Sequence, residues 1–183
     1  TTPRTAFPES TYTFSKGAWS IMSLGFNAPI YLNFTYWYAS GSVRDQVRAI
    51  YNALKAEGIS YSSTTISFPE GSQKIRFPED ALNQAAANCI DGTVLMASAL
   101  EAIDLEPLII LVPGHAFLGW RDNAGSESAE FLETTMIGSA TFEEAMAEGL
   151  AKFNHYDSTG EAQVIDVKAA RAEGLFPAAR AVR

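Results

Sequence analysis

The chain's only cysteine, Cys89, stands at the head of an apolar run that reads as a helix. Asn88 before it is a good N-cap, and Asp91 at the third helical position completes an approximate capping box. A sulfur on the first helical residue lies near unpaired backbone N–H groups and the positive helix end. Both favour the thiolate, and the same N–H groups can donate to an oxyanion formed on an acyl carbon. Asp91 works against this, because a nearby carboxylate raises a thiol pKa. From position alone, a small buried core cysteine is an equally open reading.

A nucleophilic thiol needs a base. His115, in Pro113-Gly114-His115-Ala116-Phe117-Leu118-Gly119-Trp120, opens a strand just after a Pro-Gly bend. A satisfied structural histidine is the ordinary alternative. Register supplies a third member. If Ala116–Trp120 and Glu130–Thr135 form a hairpin centred on Ala124, paired residue numbers sum to 248 and Glu133 faces His115 on the same side of the sheet. A carboxylate there fixes the imidazole tautomer and stabilises its cation. A bulge at Gly125 would move Glu133 to the other face.

These three side chains have to be positioned by the elements around them. Ser42 to Glu57 reads as a helix, N-capped by Ser42, striped by Val43, Val47, Ile50, Tyr51 and Leu54, and stopped by Gly58. A second helix runs from Cys89 to about Ile103 and is apolar on nearly every side, the mark of a central buried helix. Leu108–Val112, Ala116–Trp120, Glu130–Thr135 and Gln163–Val167 read as strands, and Tyr31–Tyr38 as an aromatic core strand. Glu79–Ala87 reads as a short helix. Thr141 with Glu144 makes a capping box for a helix striped by Phe142, Ala145, Met146 and Leu150. A final short helix ends near Gly174. Residues 1 to 16 read as irregular. The predicted class is α+β, with a central buried helix packed on a largely antiparallel sheet, in a single domain over 1–183 whose core spans roughly 42–177.

Asn88-Cys89-Ile90-Asp91, Gly114-His115-Ala116-Phe117 and Glu133-Thr134-Thr135, in that chain order, resemble the transglutaminase-like superfamily of cysteine enzymes over roughly Ile50 to Pro177. The resemblance is closest to domains embedded in larger bacterial proteins. It implies a papain-like fold, with Cys89 as nucleophile, His115 as general base and acid, and Glu133 as orienting acid. Ala87 stands where the family often has glycine, and Glu133 where aspartate is usual. By the same likeness Gln84, five residues before Cys89, is a weak candidate for an oxyanion donor. Trp120 and Trp37 are weak candidates for cleft walls, against core packing as the default.

Composition limits the partners. Net charge is −8, from 13 basic and 21 acidic residues, which argues against nucleic acid or an anionic membrane as partner. Hydrophobic residues are 47% and aromatics 11%, a globular balance with no apolar run long enough to span a bilayer. The basic pair Lys74 and Arg76 reads as solvated. One cysteine excludes an internal disulfide and a Cys-based zinc cluster, and fits a reducing cytoplasm slightly better than an oxidising compartment. Because it begins at Thr1, the sequence is expected to be part of a larger chain. The expected function is thiol-dependent acyl transfer on a peptide or carboxamide, as a cysteine peptidase, amidase or transglutaminase-like enzyme, with no metal and no organic cofactor. The alternatives are a protein-binding module that keeps the fold without turnover and, more weakly, a redox-sensing thiol.

Overall fold

The structure is a computed structural model and describes residues 12–13, 31–32, 42–63 and 75–176. Strands β1 (Tyr12–Thr13) and β2 (Tyr31–Leu32) pair antiparallel. The remainder of the aromatic Tyr31–Tyr38 segment, with Trp37, lies outside the described residues, as do Lys74 and most of 1–16.

Helix α1 spans Val43–Ala56. The Ser42 side chain caps the Asp45 N–H and Asp45 answers to the Ser42 backbone, a complete capping box. Gly58 (φ +80°) ends the helix in the left-handed region, which glycine enters without a Cβ penalty. Strand β3 (Ser60–Tyr61) follows and pairs parallel with β4 (Ala86–Ala87). Between them, helix α2 covers only Pro78–Asn83. The expected helix to Ala87 is cut short by Ala85, which sits at φ 48° and gives its carbonyl to the Ser60 N–H at 3.1 Å.

Helix α3 (Cys89–Glu101) is the buried central helix. Strands β5 (Pro107–Val112), β6 (His115–Arg121), β7 (Ala129–Leu132) and β8 (Gln163–Asp166) form an antiparallel sheet in the order β7-β6-β5-β8. The fold is therefore α+β with an antiparallel four-stranded sheet. Pro113 and Gly114 (φ +72°) make the β5–β6 turn, with proline and a positive-φ glycine at the central positions.

Period-two alternation assigns the two faces of this sheet. Leu118, Trp120 and Leu132 join α1 and α3 in one core. Leu108, Ile110, Val112, Phe117 and Phe131 form a second core under Phe153 and Tyr156. Those two aromatics belong to helix α4 (Phe142–Ser158), opened by the Thr141–Glu144 capping box. The buried stripe of α4 is Phe142, Ala145 and Gly149, while Leu150, expected in that stripe, is exposed. Helix α5 (Val167–Ala172) closes the described fold.

The β6–β7 register pairs Leu118 with Leu132 and Trp120 with Glu130. The paired numbers sum to 250 rather than 248, because the Asp122–Ser128 connection is centred on Gly125 (φ +73°). A shift of two residues conserves the face. Strand β7 also ends earlier than expected: Glu133 caps a 3-10 turn, Thr134–Met136, instead of continuing the strand to Thr135.

Helix α4 rides directly on β7. A Cβ added at Gly149 would lie 2.5 Å from Leu132 N and 2.7 Å from Leu132 Cα, backbone atoms that cannot step aside. We expect Gly149→Ala to destabilise the fold by about 2–3 kcal/mol, although the alanine itself favours helix by about 1 kcal/mol. Urea unfolding measures this, and an unchanged or raised midpoint would show that α4 lifts off β7 freely.

Candidate active site

Cys89 begins α3, and the side chain of its N-cap, Asn88, accepts the Asp91 N–H at 2.8 Å. The expected capping box is incomplete. Asp91 turns to Arg76 instead, accepting the Arg76 backbone N–H at 2.8 Å and standing 3.6 Å from its guanidinium Nε. Arg76 also donates to the Ala86 carbonyl at 3.1 Å. It is thus a half-buried tether rather than a solvated cation.

The helix start is bolted to the turn after β7. Thr93 Oγ1 donates to the Cys89 carbonyl at 2.7 Å, Thr134 Oγ1 approaches the same carbonyl at 3.4 Å, and the two hydroxyls are 3.1 Å apart. Gly92 leaves room for Thr134, whose Oγ1 would be 3.4 Å from an added Cβ.

His115 Nε2 lies 2.6 Å from Glu133 Oε2, so Nδ1 is the ring nitrogen left for the thiol. The imidazole is the main hydrogen-bond partner of Cys89 and holds the thiol below its ordinary pKa, against the opposing effect of burial. The N–H groups of Ala116 and Ile90 add to the lowering. Residues that flank a two-residue turn exchange hydrogen bonds. Val112 and His115 are such a pair, so the Ala116 N–H points away from β5. The β6–β7 pairing stops at Leu118, which leaves that N–H free for the sulfur.

Glu133 is only 1% exposed. Its Oε1 accepts the Thr135 N–H at 3.0 Å and the Thr135 hydroxyl at 2.6 Å. Its Oε2 receives Lys152 Nζ at 2.9 Å as well as His115. Burial pushes the carboxyl pKa up, but hydrogen bonds from His115, Thr135 and Lys152 outweigh it and bring the carboxyl to about 2. His115 is raised to about 9 by its bonds to Cys89 and then Glu133, against burial. A lowered thiol beside a raised imidazole favours the thiolate–imidazolium form of the pair over the neutral one.

Cys89, His115 and Glu133 therefore converge. The two weaker candidates do not join them. Trp120 is fully buried, on the sheet face opposite His115, and stacks on Phe142 with centroids 6.4 Å apart. Even-numbered residues of β6 face α3, so Trp120 is a core residue and walls no cleft. Gln84 is the C-cap of α2 and is exposed. Lys152 was not singled out by sequence reasoning. The only signal available was its i,i+4 spacing from Glu148, which reads as a surface pair. Among the described residues no group of His, Cys, Asp and Glu is arranged to hold a metal, and no helix is long and apolar enough to cross a membrane.

No family model, no curated protein and no solved structure matches the chain.

The raised imidazole and lowered carboxyl make stability pH-dependent. Glu133 protonates near 4.5 when exposed and at about 2 in the fold. Its contribution is complete above pH 4.5 and drains away as pH falls toward 2. His115 ionises near 6.5 when exposed and at about 9 in the fold. Its contribution is complete below pH 6.5 and is lost as pH rises through 9. We expect Glu133→Gln to cost roughly 2–4 kcal/mol near pH 6 and to flatten both limbs of a plot of urea midpoint against pH. Parallel limbs in wild type and variant would assign them to other groups.

Proposed function

We propose that the chain carries a thiol acyl-transfer site of transglutaminase-like, papain-like kind, acting on a peptide or carboxamide. The single observation that supports this reading is the continuous contact from Cys89 through His115 to the buried Glu133, with the imidazole raised to about 9 and the thiol lowered. A structural histidine has no need of a buried carboxylate on one ring nitrogen and a thiol on the other.

In the proposed reaction Cys89 Sγ attacks the carbonyl carbon, and the oxyanion is taken by the Cys89 backbone N–H at the start of α3, which has no intrahelical acceptor. His115, already protonated, gives its proton to the leaving amine as the carbon–nitrogen bond breaks, leaving a thioester. Water or an amine then adds to the thioester, His115 removes a proton from it, and collapse expels the Cys89 thiolate with the acyl group transferred. Glu133 holds the imidazole so that Nδ1 faces sulfur and stabilises its cation.

A thiol-directed acylating probe, followed by mass spectrometry across a pH series, tests this. We expect acylation at Cys89 with a lower limb well below the ordinary thiol pKa of about 8.5, and none in Cys89→Ala. His115→Ala should return the limb to about that ordinary value. Glu133→Gln should react roughly tenfold to a hundredfold more slowly, because the imidazole remains but its cation loses its counter-charge. A wild-type limb at or above the ordinary thiol value would leave Cys89 a packing residue.

A further inference from the structure

Lys152 lies at the boundary between site and solvent, its side chain 29% exposed. Its Nζ donates to Glu133 Oε2 at 2.9 Å and to Glu148 Oε1 at 2.7 Å. The first of these is the same carboxylate oxygen that His115 Nε2 meets at 2.6 Å. Two cationic groups thus draw on one oxygen.

Glu133 does not need Lys152 to stay in place. Its backbone N–H donates to the Ala145 carbonyl at 2.9 Å, and its other oxygen takes both the N–H and the hydroxyl of Thr135. The ammonium is redundant as an anchor, yet it is electrostatically close to the imidazole. We propose that Lys152 is a positioning residue that competes with His115 for Glu133 Oε2 and so limits how tightly the carboxylate holds the imidazolium. Glu148, from the solvent side, sets the strength of that competition by drawing Lys152 outward.

The charged groups involved come from every element that meets here. Glu133 belongs to the turn after β7, Glu148 to α4 itself, His115 to β6, and Cys89 of α3 meets the imidazole on its other side. An imidazolium held without competition by a buried carboxylate is a poor acid for a leaving amine, whereas one whose carboxylate is shared releases its proton more readily. The inference rests on the acyl-transfer reading for its purpose. Its physical content, the tuning of His115, can be measured without turnover.

The measurement is an NMR titration of the His115 ring nitrogens in a His155→Gln background, which leaves one imidazole, together with the upper limb of Cys89 alkylation against pH. Lys152→Met keeps the aliphatic stem and removes the charge. We expect it to move the His115 titration and the upper limb upward by about one to two units, the scale for a unit charge removed about 5 Å away at a dielectric between that of bulk water and that of a protein surface. Lys152→Arg should stay close to wild type. Glu148→Gln, at an exposed position, should move both downward by a smaller amount, because Lys152 then gives itself to Glu133. A downward shift in Lys152→Met, parallel to Glu133→Gln, would mean that Lys152 merely anchors the carboxylate and would overturn the proposal. No shift in either Lys152→Met or Glu148→Gln would overturn it as well. Should the shifts appear while no acylating probe reacts, the tuning stands and the acyl-transfer reading falls.

Discussion

A carboxylate with almost no access to water must be given donors by the protein or it will not remain charged. Glu133 is such a group, and the surrounding fold is arranged to supply it. Thr135 can turn back onto Oε1 only because the chain leaves the strand at Glu133 and coils into a 3-10 turn. Lys152 reaches Oε2 because α4 packs so closely on β7 that its contact residue is a glycine. His115 arrives from the first residue of β6, next to the tight β5–β6 turn. Three separate chain segments end on one carboxylate, so its position specifies theirs.

The same departure of β7 creates the place for sulfur. Continued pairing would have brought residue 134 opposite Ala116 and consumed its N–H. Instead Thr134 swings under the start of α3 and meets the Cys89 carbonyl beside Thr93, at a contact that Gly92 leaves open. The vacated N–H of Ala116 serves the Cys89 thiol. The helix that carries the thiol lies on one sheet face, while the odd-numbered residues of β6, His115 among them, belong to the other. The two chemistries meet at the margin where β6 has lost its neighbour.

Much of this is legible in the residues. The Ser42 N-cap and the Thr141–Glu144 capping box place the starts of their helices, since both are local hydrogen-bonding patterns, whereas the Asn88–Asp91 box does not close. The apolar girth of α3 marks it as central. The face shared by His115 and Glu133 follows from parity and survives a register slip of two, whereas a slip of one would have destroyed it. What fails is what depends on tertiary partners. Ala85 takes a positive φ that no alanine advertises, so residue types alone extend α2 past its true end. The weak candidacy of Trp120 as a cleft wall gives way to its default, core packing, once its face is assigned. Lys152 reads as half of an i,i+4 surface pair, because nothing local in α4 indicates a buried carboxylate nineteen residues earlier in the chain.

Asp91 illustrates how a local expectation is reversed by packing. A carboxylate two residues from a thiol opposes thiolate formation if its field acts alone. Here its side chain is fully buried and turned to Arg76, whose backbone N–H donates to Oδ1 while the guanidinium, fixed on the Ala86 carbonyl, stands 3.6 Å from Oδ2. An anion joined to a cation presents a dipole to its surroundings, and a dipole's field falls off faster than that of a lone charge. The largest influences on the sulfur are the imidazole, then burial, and then the Ala116 and Ile90 N–H groups. Asp91 therefore ties the segment before α2 to the head of α3. The helix start remains an electropositive environment in which a thiolate is at home.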